Sequence, residues 1–500
     1  MKMKMKMMMD FPLLQNIDDN DDDERINEDE DEEALKDNPQ MKDFKQGWPM
    51  FLRESKKIWR VAGPITLNGF FSYALNSSVQ IFAGHLSAVE LSAVSTSFLV
   101  TTNFPTIVLI GLGSAMDTLC GQAFGAGKIE MLAVYLQLAL IILLVAALLM
   151  SPIYIFATPI LKFLGQDEKI AVLAGKFSMR IIPQIFAMAV SFPVQKFLQA
   201  QSEVSILTCI AFGGLVLHVS LLGMFVYVFD WGLDGAAAAY NLSSWAVSIA
   251  QLVYIILWHK FKWTRISFSS TIKEVWSFLK LSLASAMMFC MDGWNMMVMM
   301  VITGLLDNPA IALGSLSICM NINTWISMLF FGIDAAASVR VSNELGSGNA
   351  RAAKYSIAVI GVTALAIAFP CIIVILATRT YFPVLFASSK ELQKAVAEMA
   401  YLLILAVFLS SIQPVIIGAS VGGGWQGIVA YINFLCYYLI GIPLQYIFGF
   451  LLHWNALGTW GGMLCGLVLQ KLILSAIVWK TNWKDEVKTC LPLIQFETFN

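Results

Sequence analysis

Twelve runs of about twenty mostly apolar residues recur along the chain between short polar breaks, and each is long enough to cross a bilayer as a helix. They fall near 62–84, 92–116, 132–158, 172–198, 205–229, 235–258, 276–304, 311–338, 355–378, 395–420, 427–450 and 456–479. Composition excludes an ordinary soluble protein: 58% of residues are hydrophobic and 13% charged, against roughly a quarter charged in soluble domains. The fourth run is the least apolar, with Lys176 and Arg180 in its first half and Pro183 and Pro193 interrupting it. Pro64, Pro105, Pro370, Pro414 and Pro443 fall within other runs, where neighbouring helices can satisfy the freed carbonyls. The expected fold is an all-α membrane protein of twelve transmembrane helices.

The charges are unevenly placed. Twelve of the 34 acidic residues lie between Asp18 and Glu33, behind a Lys/Met repeat, in a segment too poor in apolar surface to offset its ordering entropy. Residues 1–50 therefore read as a disordered acidic cytoplasmic tail without the form of a cleavable signal peptide. The other expected divisions are an N-terminal six-helix bundle (54–260), a cytoplasmic linker (261–275), a C-terminal six-helix bundle (276–480) and a cytoplasmic tail (481–500). With the amino terminus inside, inner segments hold sixteen Lys and Arg against seven on the other face, which predicts that both termini are cytoplasmic. The eight cysteines show neither metal nor disulfide spacing and read as small buried side chains.

The chain also repeats itself. Gly111-Leu-Gly-Ser-Ala-Met-Asp-Thr-Leu-Cys-Gly-Gln-Ala-Phe-Gly125 aligns without a gap on Gly332-Ile-Asp-Ala-Ala-Ala-Ser-Val-Arg-Val-Ser-Asn-Glu-Leu-Gly346, pairing Gln122 with Asn343. A second echo pairs Gly232-Leu-Asp-Gly235 with Gly458-Thr-Trp-Gly461. An offset of six helices makes the two copies parallel, related by an axis along the membrane normal, with a binding site expected where they meet.

Several of these segments resemble the plant branch of the multidrug and toxic compound extrusion (MATE) family, the DETOXIFICATION proteins. The matching motifs are Phe82-Ala-Gly-His-Leu86, Thr118-Leu-Cys-Gly-Gln-Ala-Phe-Gly-Ala126, Leu198-Gln-Ala-Gln201, Ala337-Ser-Val-Arg-Val-Ser-Asn-Glu-Leu-Gly346, Gln413-Pro, Gly424-Trp-Gln426, Tyr437-Tyr438 and Lys480-Thr-Asn-Trp483. The resemblance runs from about Glu54 to Val487. It implies two pseudo-symmetric six-helix bundles around a V-shaped cavity. It further implies proton-coupled antiport of organic solutes such as flavonoid glycosides, alkaloids or xenobiotics, in the vacuolar or plasma membrane. No cofactor is expected beyond the proton gradient. The expected partners are the solute, H⁺ and the lipid bilayer, without nucleic acid, and the chain is expected to be a monomer.

An ionisable side chain in the bilayer costs about 2.5–3.5 kcal/mol on insertion scales, so each one calls for an explanation. The first is Asp292, in Cys290-Met-Asp-Gly-Trp294 near the middle of the seventh run. The family usually has Glu here, taken as a proton and substrate site, with Tyr where Asn295 follows Trp294. Asp keeps the acid on a shorter arm. Some relatives carry a second acid on the tenth helix, where this chain has Ser410 in Leu409-Ser-Ser-Ile-Gln413; Ser410 and Gln413 can still hydrogen-bond a ligand. Asp334 is an additional acid, suited equally to a cavity or to a basic neighbour. Asp117 reads as structural, and Arg340 with Glu344 as a gate or loop-fixing pair. His218 reads as a packing residue rather than a titrating one.

No Gly-x-x-x-x-Gly-Lys loop supplies an ATP engine, and no nucleophilic triad or metal cluster argues for an enzyme. The competing reading is an anion channel or organic-anion carrier on the same fold.

Overall fold

The computed structural model describes residues 44–257, 268–306, 308–386 and 389–494. Expectations for residues 1–43, for 261–267 of the linker and for 495–500 of the last tail lie outside the described residues, while 268–275, expected as linker, belong to the helix that begins at Phe268. All regular structure among those described is helical. In chain order the long elements are α1 (Phe44–Leu86), α2 (Ala88–Gly125), α3 (Ile129–Ile155), α4 (Glu168–Arg180 continuing as Ile182–Ala200), α5 (Ser205–Val228), α6 (Gly232–Leu257), α7 (Phe268–Gly304), α8 (Pro309–Gly346), α9 (Ala350–Thr378), α10 (Lys390–Gly422), α11 (Gln426–Leu451), α12 (Asn455–Lys480) and a terminal α13 (Trp483–Ile494).

Ten of these helices are long and apolar enough to span a bilayer, and the two segments of α4, bent by 47°, bring the number to eleven. α1 is long enough, but Asn68, Asn76 and Gln80 dilute its apolar stretch. Apolar side chains such as Leu148, Leu149, Phe369 and Leu472 point outward, which a soluble protein could not sustain over so wide a surface.

Proline shapes the helices as expected. α4 breaks at Ile181 and restarts with Pro183 in its first turn, where a missing N–H costs nothing. In α2 and α11 the backbone widens to π-helical turns over Ser97–Thr102 and Phe434–Gly441, just ahead of Pro105 and Pro443. Helix also extends into two expected tails. α1 begins at Phe44, where Trp48 stacks on Phe51 at 5.6 Å. α13 buries Trp483, Val487 and Cys490.

Contacts reveal the internal repeat directly. A Cβ added at Gly125 on α2 would collide with the Asn343 carbonyl on α8; one added at Gly346 on α8 would collide with the Gln122 carbonyl on α2. Those pairs are the ones the sequence aligns, so the contact is reciprocal. Farther along, Gly111 presses α2 on Ala286 of α7, while Gly332 presses α8 on Thr66 of α1.

The second echo needs a correction of three residues. Gly235 sits against the Phe225 carbonyl (2.9 Å from an added Cβ), and its counterpart against the Phe448 carbonyl is Gly458, whereas Gly461 faces open space. Left-handed residues agree: Asp230 and Gly232, before and at the start of α6, match His453 and Asn455, before and at the start of α12. Glycines three apart in both segments allowed the wrong register, and the close approach of backbone selects the right one.

Candidate functional site

Three helices of the second half carry charge into its interior. Asp292 lies half-buried midway along α7. Its carboxylate accepts a hydrogen bond from the Tyr437 hydroxyl and another, at 3.4 Å, from Asn433 Nδ2, both on α11. Asn433 is itself held by Gln470 Nε2 of α12 at 2.9 Å. The next residue on α12, Lys471, is only 6% exposed and lies within electrostatic reach of both Asp292 and Asp334 of α8. Asp334 Oδ1 has no hydrogen-bond partner; the cation within electrostatic reach of Asp334 is Lys471, while Arg340, six residues along the same helix, pairs with Glu54 and Glu344. Elsewhere on α7, Trp294, Met297, Val298, Val301 and Ile302 line a cavity of about 310 Å³ together with Tyr438 of α11; none of the charged residues of the cluster lines it.

Other expected site residues divide. Trp294 stacks on Phe104 of α2 with ring centroids 6.4 Å apart and planes 7° from parallel, joining the two halves. Asn295 is buried with Oδ1 unpartnered. Ser410 donates to Ala406 O within its own helix at 3.0 Å. Gln413 is half-buried one turn farther on. Neither Ser410 nor Gln413 hydrogen-bonds to the Asp292 cluster. His218 is fully buried, its Nδ1 2.9 Å from Ser243 Oγ, which fits a packing role. Asp117 forms a buried ion pair with Lys196 of α4 at 2.8 Å.

Arg340 and Glu344 are ion-paired, but the pair is part of a larger clasp. Arg340 Nε donates at 2.9 Å to Glu54 of α1, which also accepts from Ser356 Oγ of α9 at 2.6 Å. Burial pushes the Glu54 carboxyl up, but Arg340, Ser356 and Lys57 outweigh it and hold the carboxyl below its ordinary range. The ion pair ties the first half to the second.

Beside it runs a symmetric pair of bonds. Gln122 Nε2 of α2 donates to the Gly422 carbonyl ending α10 at 3.0 Å. Asn343 Nδ2 of α8 donates to the Ala200 carbonyl ending α4, also at 3.0 Å. Gln426 Nε2 reaches Thr118 Oγ1 at 2.7 Å, and Thr118 in turn donates to the Val421 carbonyl. Trp425 stacks near Trp483 of α13 and donates to Glu486 at 2.9 Å. The Gly-rich ends of α2 and α8 are thus sealed across the two halves.

Sequence reasoning passed over Lys471, Glu54, Asn433 and Gln470. Lys471 had a readable signal, a single cation inside Gly466-Leu-Val-Leu-Gln-Lys-Leu-Ile-Leu474. Glu54 sits among other charges and meets a partner 286 residues away, so nothing local marks it.

Comparison with known proteins gives one family. The MatE family model matches twice, at residues 64–223 and 284–447, one copy in each half. Protein DETOXIFICATION 34 of Arabidopsis thaliana is 50% identical over 450 residues, 90% of this chain and 83% of that protein. DETOXIFICATION 35 of the same plant is 50% identical over 435 residues, 87% of this chain and 89% of its own. The crystal structure of the eukaryotic MATE transporter AtDTX14 superposes with a TM-score of 0.82 at 31% identity, covering 89% of this chain and 100% of that one. The Vibrio cholerae MATE transporter VcmN in its bent form shares the fold, with a TM-score of 0.77 at 15% identity over 89% of this chain and 99% of its own.

Proposed function

Because the chain belongs to the MATE family of membrane transporters, we propose that it is a proton-coupled antiporter that moves organic solutes out of the cytosol by alternating access, with Asp292 as the proton site. The observation that carries this reading is the carboxylate itself. It is half-buried in the middle of an apolar helix and held by the neutral donors Tyr437 and Asn433, on a helix that also lines a cavity through Trp294 and Met297. A buried acid gripped by neutral donors can exist charged or protonated without the protein unfolding around it. An acid locked in a direct salt bridge has far less freedom to take up a proton.

Both termini are placed in the cytosol on the bias of Lys and Arg, which puts the sealed ends of α2 and α8 on the cytoplasmic side. The arrangement then corresponds to a state closed toward the cytosol, and cargo loads once the clasp opens. Proton entry to Asp292 from the acidic side and release to the cytosol drives the return. One unit of pH difference supplies about 1.4 kcal/mol per proton, and 100 mV adds or subtracts about 2.3 kcal/mol. The cargo class is organic solutes, among them secondary metabolites and xenobiotics; the apolar cavity wall with Trp294 and Tyr438 suits them. The membrane is vacuolar or plasma, and the chain acts as a monomer.

The test is uptake of a fluorescent organic dye into acid-loaded proteoliposomes containing the purified protein. The proposal expects accumulation above equilibrium that a protonophore collapses. Equilibration of the dye regardless of the gradient would identify a passive channel and reject antiport.

A further inference from the structure

We propose that Lys471 is the internal counter-charge of the coupling site, so that Asp292, Asp334 and Lys471 together carry one net negative charge, which a single proton per cycle cancels. This rests on Asp292 being the proton site.

A lysine buried in a membrane helix is costly unless opposite charge lies close by. Lys471 is 6% exposed, and the opposite charges within its reach are Asp292 and Asp334. α12 packs on both α7 and α8, the helices that carry those acids. Two carboxylates and one ammonium sum to one negative charge. The other titratable groups near Asp292 are Tyr437, Tyr438, Cys290 and Cys436. All are neutral in their ordinary forms at pH 7. α10, also against α12, has no charged residue between Met399 and Gly422.

A proton arriving from water on the acidic side bonds to a carboxylate oxygen of Asp292, and the cluster becomes neutral. It leaves as the same proton to water on the other side, and the cluster regains its charge. Lys471 keeps its own proton throughout; it acts through the acids as a positioning residue. Without Lys471, the cluster would carry two negative charges, and one proton would leave it still charged. Without Asp334, the cluster would begin neutral, and one proton would make it positive. Loss of both leaves Asp292 alone, charged and then neutral, as in the parent. Parity of charge, not the presence of either residue, decides function.

Gradient-driven dye uptake by Lys471→Met, Asp334→Asn, the double variant and Asp292→Asn tests this, with folded fraction read by size exclusion and thermal melting. Met keeps most of the lysine volume. Each single change at Lys471 or Asp334 should slow uptake about tenfold or more, while the double variant returns to within about threefold of the parent, because coupled neighbours violate additivity. Asp292→Asn should be inactive. Parental uptake by Lys471→Met overturns the proposal, as does a double variant no better than the poorer single one. Should Lys471→Met fail to fold, Asp334→Asn against the double variant decides; a double variant that also fails to fold overturns the idea, since its charge is balanced. Uptake retained by Asp292→Asn rejects the proton-site reading itself, whereas an inactive Asp292→Asn with no rescue in the double variant rejects only the role of Lys471.

Discussion

Gln122 and Asn343 occupy equivalent places in the two halves and make equivalent bonds, each to the carbonyl that ends a helix of the opposite half. Deeper in the membrane the equivalence stops. Asp334 of α8 corresponds to Gly113 of α2, and Lys471 of α12 to Ser248 of α6. α1, the counterpart of α7, carries no Asp, Glu, Lys or Arg between Val61 and Leu86, where α7 has Asp292. The repeat therefore keeps what closes the molecule and lets diverge what titrates. Closure needs two surfaces that fit each other, which duplication supplies directly. Proton handling needs one site, and a second copy would add a buried charge cost without adding coupling.

Among the asymmetric members of the clasp, the Glu54–Arg340 ion pair joins opposite charges of the two halves, and removing it should have the largest effect. Arg340→Met takes the buried cation from Glu54 and Glu344 and leaves Glu54 only Ser356 and the exposed Lys57, at a cost to the closed arrangement of up to about 3–5 kcal/mol. A cysteine introduced at the Gly-rich end should label faster, and the melting temperature should fall. The pair should be insensitive to pH across the neutral range. The Glu54 carboxyl is held below its ordinary value, so its stabilising contribution is present above that value and is lost only as pH falls through the lowered one. A labelling rate that keeps the same ratio to that of the Arg340→Met protein at pH 6 and pH 8, which cancels the thiol's own pH dependence, fits this; a ratio that rises toward one at pH 6 does not.

The symmetric members should respond alike. Gly125→Ala and Gly346→Ala each drive a methyl into a backbone carbonyl that cannot swing aside, at roughly 1–3 kcal/mol for overpacking. Similar losses of melting temperature in the two variants support the reciprocal contact. A loss confined to one of them would show that the halves do not meet as equals.

The smallest effect tests the register of the repeat. Gly458→Ala collides with the Phe448 carbonyl and should destabilise by about 1 kcal/mol or more. Gly461→Ala meets open space inside a helix and should be neutral or stabilising by up to about 1 kcal/mol. The reverse ranking would restore the alignment of Gly232 with Gly458.

Much of this was legible in the sequence because membrane helices announce themselves by length and hydropathy. Among the described residues, helices lie over all twelve expected runs. Helix ends were less legible: α2 runs to Gly125 and α8 to Gly346 because their polar, Gly-rich ends pack on one another, a tertiary cause that hydropathy does not see. Asp292 stood out as an acid within an apolar run. Its setting did not, because Tyr437, Asn433 and Gln470 come from helices more than a hundred residues away and uncharged polar residues are common in such helices. Arg340 pointed to Glu344 four residues on, a spacing any helix brings together, but not to Glu54. For Asp334 the sequence leaves a cavity role and a basic neighbour equally open; the cation within its reach is Lys471 of α12, since six residues along a helix place it away from Arg340.

Solute-evoked proton movement addresses the central claim most directly. In proteoliposomes with a pH-sensitive dye inside and a proton gradient imposed, adding an organic solute outside should release protons from the lumen through the parent protein. With Asp292→Asn the same addition should release none, although the protein remains folded. Undiminished proton release from that variant would contradict the account and move the coupling site elsewhere.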